Sequence, residues 1–305
     1  MNPQEKLQLV GETLTAFSAL YTERLRATRE ELGLPENWFL IWTTMEYEPD
    51  TISPRKAHTR TPYANIANFE RLDRELVEQG ILVDQGDQEY VVEPNIRAKM
   101  KKLIRVIEDA VAEIEVLSFD ELYRLETRLN KVIKAAISSK TVDAYATRLN
   151  HNSNPSISAP SILKIFQYLT DLGSWRDDAH IAAWKHHNIP GNEWEAFGFI
   201  WDSDKTNAAL ILEARQGRGY TVEDYQAAIE SLIKRGWVEA DPEKEGHYRV
   251  TPTGRKLRDE AEAATDRNYF SPFEVLGKEA AEETWESLLH LRDALRELAP
   301  APQPA

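Results

Sequence analysis

Residues 51–74 hold Arg55, Lys56, Arg60, Arg71 and Arg74 against Glu70 and Asp73, a local excess of three positive charges in a chain whose formal net charge is −14. Cations gathered in this way suit the neutralisation of phosphates. Tyr63, Asn65 and Asn68 lie among them, and an Asn amide can pair bidentately with an adenine edge. A second basic set is thinner. Arg215 and Arg218 precede Glu223 and Asp224, and residues 205–235 carry five basic side chains against four acidic ones. Lys244 and Arg249 stand in a segment that also contains Asp241, Glu243 and Glu245. The acidic total opposes attraction to a polyanion at long range, so only a local face could do this chemistry. The plainer reading is that basic side chains around one helix form a solvated face.

Arg176, His180 and Trp184 recur at intervals of four, which puts them on one helix face. They offer charge, a hydrogen bond and a stacking surface, as a pocket for an anionic or aromatic ligand would. The alternative is a buried Arg and His that satisfy helix ends. Trp42 and Trp201 could line an effector cavity, or they could belong to a shared core. His186 and His187 are adjacent and have no second ligand pair at zinc spacing, so no metal is expected. The chain has no nucleophile elbow, phosphate-loop glycine pattern or dinucleotide fingerprint. Gln85 and Gln88 sit in an acidic turn rather than in the paired-glutamine motif of tandem-wing DNA glycosylases. The sequence therefore predicts neither an enzyme nor a cofactor.

The elements that would position these residues recur. Trp38 and Trp194 are 156 positions apart, and the same shift lays Glu75–Leu82 on Ser231–Val238. Glu89–Arg97 then matches His247–Arg255, and Ser118–Leu122 resembles Pro272–Leu276. Four matches in the same order indicate an internal duplication. In the second copy, Thr221 is a good N-cap, Val222, Tyr225, Ala228, Ile229, Leu232 and Ile233 keep helical spacing, and Gly236 ends the helix. Trp237–Val238, an acidic turn and Tyr248–Val250 read as a hairpin, followed by a helix from Arg255 to about Ala264. In the first copy, Pro62 opens a helix that runs to Gln79 before Gly80, and residues 81–92 read as the hairpin. Long helices are predicted over Leu7–Glu31, Ser118–Leu149, Ile162–Lys185 and Ala280–Leu298.

Helix, turn, helix, hairpin and long helix is the order of a winged helix-turn-helix. The predicted fold is mainly α with small β-hairpin wings: a tandem winged helix-turn-helix pseudo-dimer with a long helical interface layer. Residues 1–150 form the first repeat and 151–298 the second, joined at the polar stretch Asn150–Pro160. The Pro/Ala-rich tail 299–305 is expected to be disordered. Trp175–Ala183, Arg218–Tyr225, Thr251–Arg255, Ala264–Arg267 and Ser271–Gly277 mark out the second half. Through these segments residues 165–295 resemble an actinobacterial family of MarR-related helix-turn-helix proteins, whereas the first half matches only loosely.

The resemblance implies a transcriptional regulator that binds double-stranded DNA, with a small-molecule effector as a further partner. The alternative is a pseudo-dimer that no longer binds DNA and serves as a ligand-binding or protein-interaction module. With no cysteine among 305 residues there are no disulfides, and no run of apolar residues is long enough for a membrane span. The N-terminal stretch Met1–Glu12 is too polar for a secretory leader. A cytoplasmic location follows, as a monomeric pseudo-dimer or a homodimer.

Overall fold

Asn2 and Glu5 close a capping box around Pro3, and the backbone enters α1 (Pro3–Glu31) there. The helices α2 (Trp38–Met45), α3 (Pro54–Arg60) and α4 (Ile66–Glu78) follow. A hairpin of β1 (Leu82–Asp84) and β2 (Tyr90–Val92) comes next, then α5 (Pro94–Ala112), α6 (Phe119–Ile137), α7 (Tyr145–His151) and α8 (Ser161–Trp184). The second part of the chain adds α9 (Gly191–Asp202), α10 (Ala208–Ala214), α11 (Val222–Lys234), the pair β3 (Val238–Ala240) and β4 (Tyr248–Val250), α12 (Pro252–Phe270) and α13 (Lys278–Leu298). This computed structural model describes residues 1–298, and the predicted disordered tail lies outside the described residues. The fold is mostly helical with two small antiparallel hairpins. In the second hairpin Val238 faces Val250 and Ala240 faces Tyr248.

The described residues form two compact units, one of residues 1–49, 92–179 and 266 onward, the other of residues 50–91 and 180–265. Each half of the sequence contributes to both. In the first unit α1 packs on α5 and α13, and α6 packs on α13. Its buried residues include Phe17, Leu103, Leu129, Leu169, Trp175 and Trp285. The Trp175 Nε1–H donates to the Tyr269 carbonyl at 3.1 Å. The second unit is built on Trp184, Trp194, Phe197, Ile211, Tyr225, Ile229, Leu232 and Val238, with Tyr63 packed against that core.

Within the second unit the order helix, helix, hairpin occurs twice, as α3–α4–β1–β2 and as α10–α11–β3–β4. Both second helices stop at a glycine in the left-handed region, Gly80 (φ +70°) and Gly236 (φ +72°), as the sequence predicted, because glycine adopts that backbone conformation with less strain than residues that carry a Cβ. Each hairpin also pairs with the residue ahead of its helices. Ile52 and Tyr90 exchange backbone hydrogen bonds of 2.8–3.0 Å, and the Tyr248 N–H donates to the Thr206 carbonyl at 2.9 Å.

Several boundaries differ from the sequence expectation, among them the start of α1 at Pro3 rather than Leu7. α4 begins at Ile66, not Pro62, because the Asn65 side chain accepts from the Ala67 N–H and fixes the cap there. The predicted helix Ser118–Leu149 is two helices, α6 and α7, separated where Ser139 caps a turn by accepting from the Thr141 and Val142 N–H groups. α12 runs past Ala264 to Phe270.

Candidate nucleic-acid interface

Ser53 caps α3 with Pro54 in its first turn, and Asn65 caps α4. The short helix α3 presents Arg55 to solvent, and α4 exposes Arg71 and Arg74. The guanidinium groups of Arg55 and Arg74 make no hydrogen bond or ion pair among the described residues, although the Arg55 carbonyl accepts from the Thr59 hydroxyl at 2.9 Å. Arg71 is held on the surface by Glu75 (2.6 Å) and by the Asn68 Oδ1 (2.8 Å). Lys56 reaches the Thr51 carbonyl (2.8 Å) and Glu89 (2.9 Å). Hydrogen bonds from Thr51 and then Lys56 hold the Glu89 carboxyl below the usual carboxylate range. Arg60 is half-buried at the end of α3.

The other predicted residues here, Tyr63, Asn65 and Asn68, lie before or in the first turn of α4 and face the segment that precedes α11. The α4 cap donates from the Asn65 backbone N–H to the Arg218 carbonyl at 2.8 Å. The Asn65 and Asn68 amides donate to the carbonyls of Gly219 (3.4 Å) and Gly217 (3.1 Å). Tyr63 accepts from the Trp184 indole at 2.9 Å and lies 5.6 Å under the Arg218 guanidinium. The start of α4 is therefore seated on the turn that precedes α11. Gly219 (φ +74°) lets the two segments approach, since a Cβ there would stand 2.4 Å from the Asn68 Cβ. Gly191 does the same beneath Pro62, where a Cβ would lie 2.0 Å from the Pro62 carbonyl oxygen.

Phe69, Asp73 and Leu76 follow one another at helical spacing, and Asp73 and Leu76 are buried. Burial pushes the Asp73 carboxyl up to about 6. The same burial, with Asp73 next in effect, raises the Tyr90 phenol.

The corresponding surface around α11 has the opposite character. A capping box of Thr221 and Asp224 starts the helix, and its exposed positions include Glu223, Ala227, Glu230 and Lys234. Arg215 and Arg218 both turn onto Glu195, at 3.0 and 3.3 Å. The same carboxylate accepts from the Tyr225 hydroxyl at 3.4 Å. Burial and Glu195 together raise the Tyr225 phenol far above its ordinary value. In the hairpin Arg249 pairs with Glu239 at 2.9 Å, and Lys244 is exposed in the β3–β4 turn.

The stripe Arg176, His180 and Trp184 is divided between the compact units, Arg176 and Trp42 in the first, His180, Trp184 and Trp201 in the second. Trp184 is 3% exposed and stacks on Trp194 at 5.6 Å. The His180 Nε2 accepts from the Trp194 indole at 3.3 Å. Trp201 donates to Asp259 at 2.7 Å, and Trp42 packs on Trp38 at 5.8 Å. Sequence reasoning missed Arg258, whose guanidinium lies 4.3 Å over Trp194 and 5.7 Å from Trp201 and pairs with Glu262 at 2.9 Å. The four-residue spacing of Arg258 and Glu262 was the available signal. Among the described residues no group of three His, Asp or Glu side chains comes together as a metal site, and no helix is long and apolar enough to cross a membrane.

Residues 96–301, two thirds of the chain, match a helix-turn-helix family. The chain belongs to the helix-turn-helix family. No curated protein and no solved structure matches it. In this helix-turn-helix protein the family match takes in α10, α11 and the second hairpin, and it begins after α3, α4 and the first hairpin.

Proposed function

We propose that this helix-turn-helix protein is a MarR-like regulator that contacts double-stranded DNA asymmetrically, through the outer face of α3 and α4. The observation that supports it is the contrast between the two helix-turn-helix surfaces. Arg55, Arg71 and Arg74 are exposed on α3 and α4, whereas α11 exposes Glu223 and Glu230. Exposed ion pairs such as Arg71–Glu75 contribute only about 0–1 kcal/mol, so a phosphate can replace the carboxylate at small cost. In this reading the internal duplication supplies two unequal helix-turn-helix segments in one chain, and the operator need not be palindromic. Asn65 and Asn68 then act as struts under α4 rather than as readers of bases.

A second reading, a protein-interaction module without DNA binding, is favoured by one observation. The first turn of α4, which enters the major groove in helix-turn-helix complexes, is occupied by the backbone of residues 217–219. An effector at His180 and Trp184 has less support, because both rings are engaged by neighbouring side chains.

Fluorescence-anisotropy titration of the full chain with genomic DNA fragments across a salt series separates the two readings. Three to four phosphate contacts predict a drop in affinity of about a hundredfold between 50 and 200 mM salt. Binding that is absent at low salt as well would refute the DNA reading and leave the interaction module.

A further inference from the structure

α5 (Pro94–Ala112) lies wholly within the compact unit formed by residues 1–49, 92–179 and 266 onward. Arg97, Lys99, Lys101, Lys102 and Arg105 fall within residues 94–107, a stretch without one acidic residue in a chain that carries 51 of them. This run of positive charge is denser than the one in residues 51–74. Met100, Leu103, Ile107 and Val111 bury one side of the helix and so fix which side is left outward. Lys101, Lys102 and Arg105 stand exposed on that outer side within little more than one turn.

These three cationic groups make no hydrogen bond or ion pair among the described residues. Elsewhere on the surface cations are matched along their own helices, as Arg26 is by Glu23 and Glu30, and Arg71 by Glu75. On α5 Arg97 is taken up by Glu48, but Lys101 and Lys102 precede Arg105 by four and three positions, where like charges repel and weaken a helix. The first carboxylates after Glu93 are Glu108 and Asp109. Arg105 acts on Glu108 without an ion pair, and burial keeps that carboxyl above its usual range. A cationic face maintained against its own repulsion is relieved when a polyanion supplies the missing charge.

We infer that this face of α5 binds the phosphate backbone of double-stranded DNA, as a contact surface separate from α3 and α4. Three observations select that partner. No large apolar side chain is exposed on α5. An interfacial helix turns its apolar side to lipid, whereas that side of α5 is buried in the fold. A protein partner would meet a face without an aromatic or aliphatic anchor, and lysine is depleted at protein interfaces. The family match begins at residue 96, so α5 is the first helix it takes in, and the cationic face lies inside the region shared with helix-turn-helix proteins.

The inference rests on the DNA reading but on a different surface, and its test separates the two. The full chain is titrated by fluorescence anisotropy with duplexes of several sequences across a salt series. Lys101→Gln combined with Lys102→Gln and Arg105→Gln should lower the salt slope by about 2.7, so that the wild type loses about fortyfold more affinity than the variant between 50 and 200 mM salt. The effect should be the same on every duplex, because phosphate contacts carry no sequence information, and the melting temperature should not fall. Arg124→Gln combined with Lys131→Gln and Lys134→Gln removes equal charge from the exposed side of α6 and should leave the slope unchanged. An unchanged slope in the α5 variant, an equal fall in the α6 variant, or a wild type that binds no duplex would each overturn the assignment. So would binding to phosphatidylserine vesicles that the α5 variant loses while it keeps its DNA affinity. If the α5 variant lowers the slope and Arg55→Ala with Arg74→Ala does not, the α3–α4 reading fails and this one stands.

Discussion

Asp73 sets up a sharp test of how the second compact unit is balanced. It is 7% exposed on the inner side of α4, and its Oδ2 meets no hydrogen-bond partner among the described residues. Burial raises its pKa to about 6, against about 3.9 for an aspartate in an unfolded chain. Because the folded value is the higher one, the native state favours the protonated acid. The contribution of Asp73 to stability is therefore most favourable below about pH 4, falls as the pH rises towards 6, and is flat above that. Two units correspond to a cost of about 3 kcal/mol at pH 8, compared with about 0.5 kcal/mol at pH 4. Asp73→Asn removes the titration. The buried amide adds a cost of its own, but that cost does not vary with pH. The stability difference between the variant and the wild type should thus shift by about 2.4 kcal/mol in the variant's favour between pH 4 and pH 8. The two conditions bracket the sequence pI of about 5.1, so the chain is charged in both. Urea unfolding at matched ionic strength reads the difference directly. Parallel pH profiles for the two proteins would refute the reasoning.

Other outcomes follow from the same geometry. Arg55→Ala combined with Arg74→Ala should lower the salt slope of DNA binding by about two and weaken it on every sequence tested, as anisotropy at several salt concentrations reports. Glu195→Gln should release Arg215 and Arg218 yet leave DNA affinity within about twofold, equivalent to less than half a kcal/mol, because α11 faces away from DNA in the asymmetric reading. A large gain in affinity would place the second helix-turn-helix on the DNA instead. Gly219→Ala meets both a left-handed backbone and the Asn68 Cβ, and should cost about 2–4 kcal/mol in chemical denaturation. Adding Asn68→Gly should recover part of that loss, less about 1 kcal/mol for a glycine inside a helix.

Much of the fold was legible because its signals are local. Gly80 and Gly236 end their helices through backbone freedom at one residue, and Thr221 and Asp224 cap α11 from within four positions. Both hairpins follow from short apolar pairs around polar turns. The site was much less legible. Asn65 and Asn68 are ordinary base-reading residues by type, and nothing near them in sequence shows that their partners are the carbonyls of Gly217 and Gly219, about 150 positions away. Glu195 lies 20 and 23 positions from the two arginines it holds, and no helix periodicity links them. Asp73 could have been found, since its four-residue spacing from Phe69 puts it on the apolar face of α4. Pro62 misled because proline favours the first turn of a helix, but Asn65 offered a side-chain cap and Pro62 none.

The seat of α4 on residues 217–219 also bears on whether this module can be taken apart. A helix-turn-helix domain is commonly treated as a portable cassette, to be excised or grafted onto another protein. Here residues 50–91 would leave with the Asn65 and Asn68 amides, the Asn65 backbone N–H and the Tyr63 hydroxyl stripped of their partners. The remaining segment would keep two glycines shaped to receive a neighbour that is no longer there. Neither piece is a finished part, so chimeras cut between them should inherit a fault at the seam, and substitutions at positions 68 and 219 should be tolerated only in matched pairs.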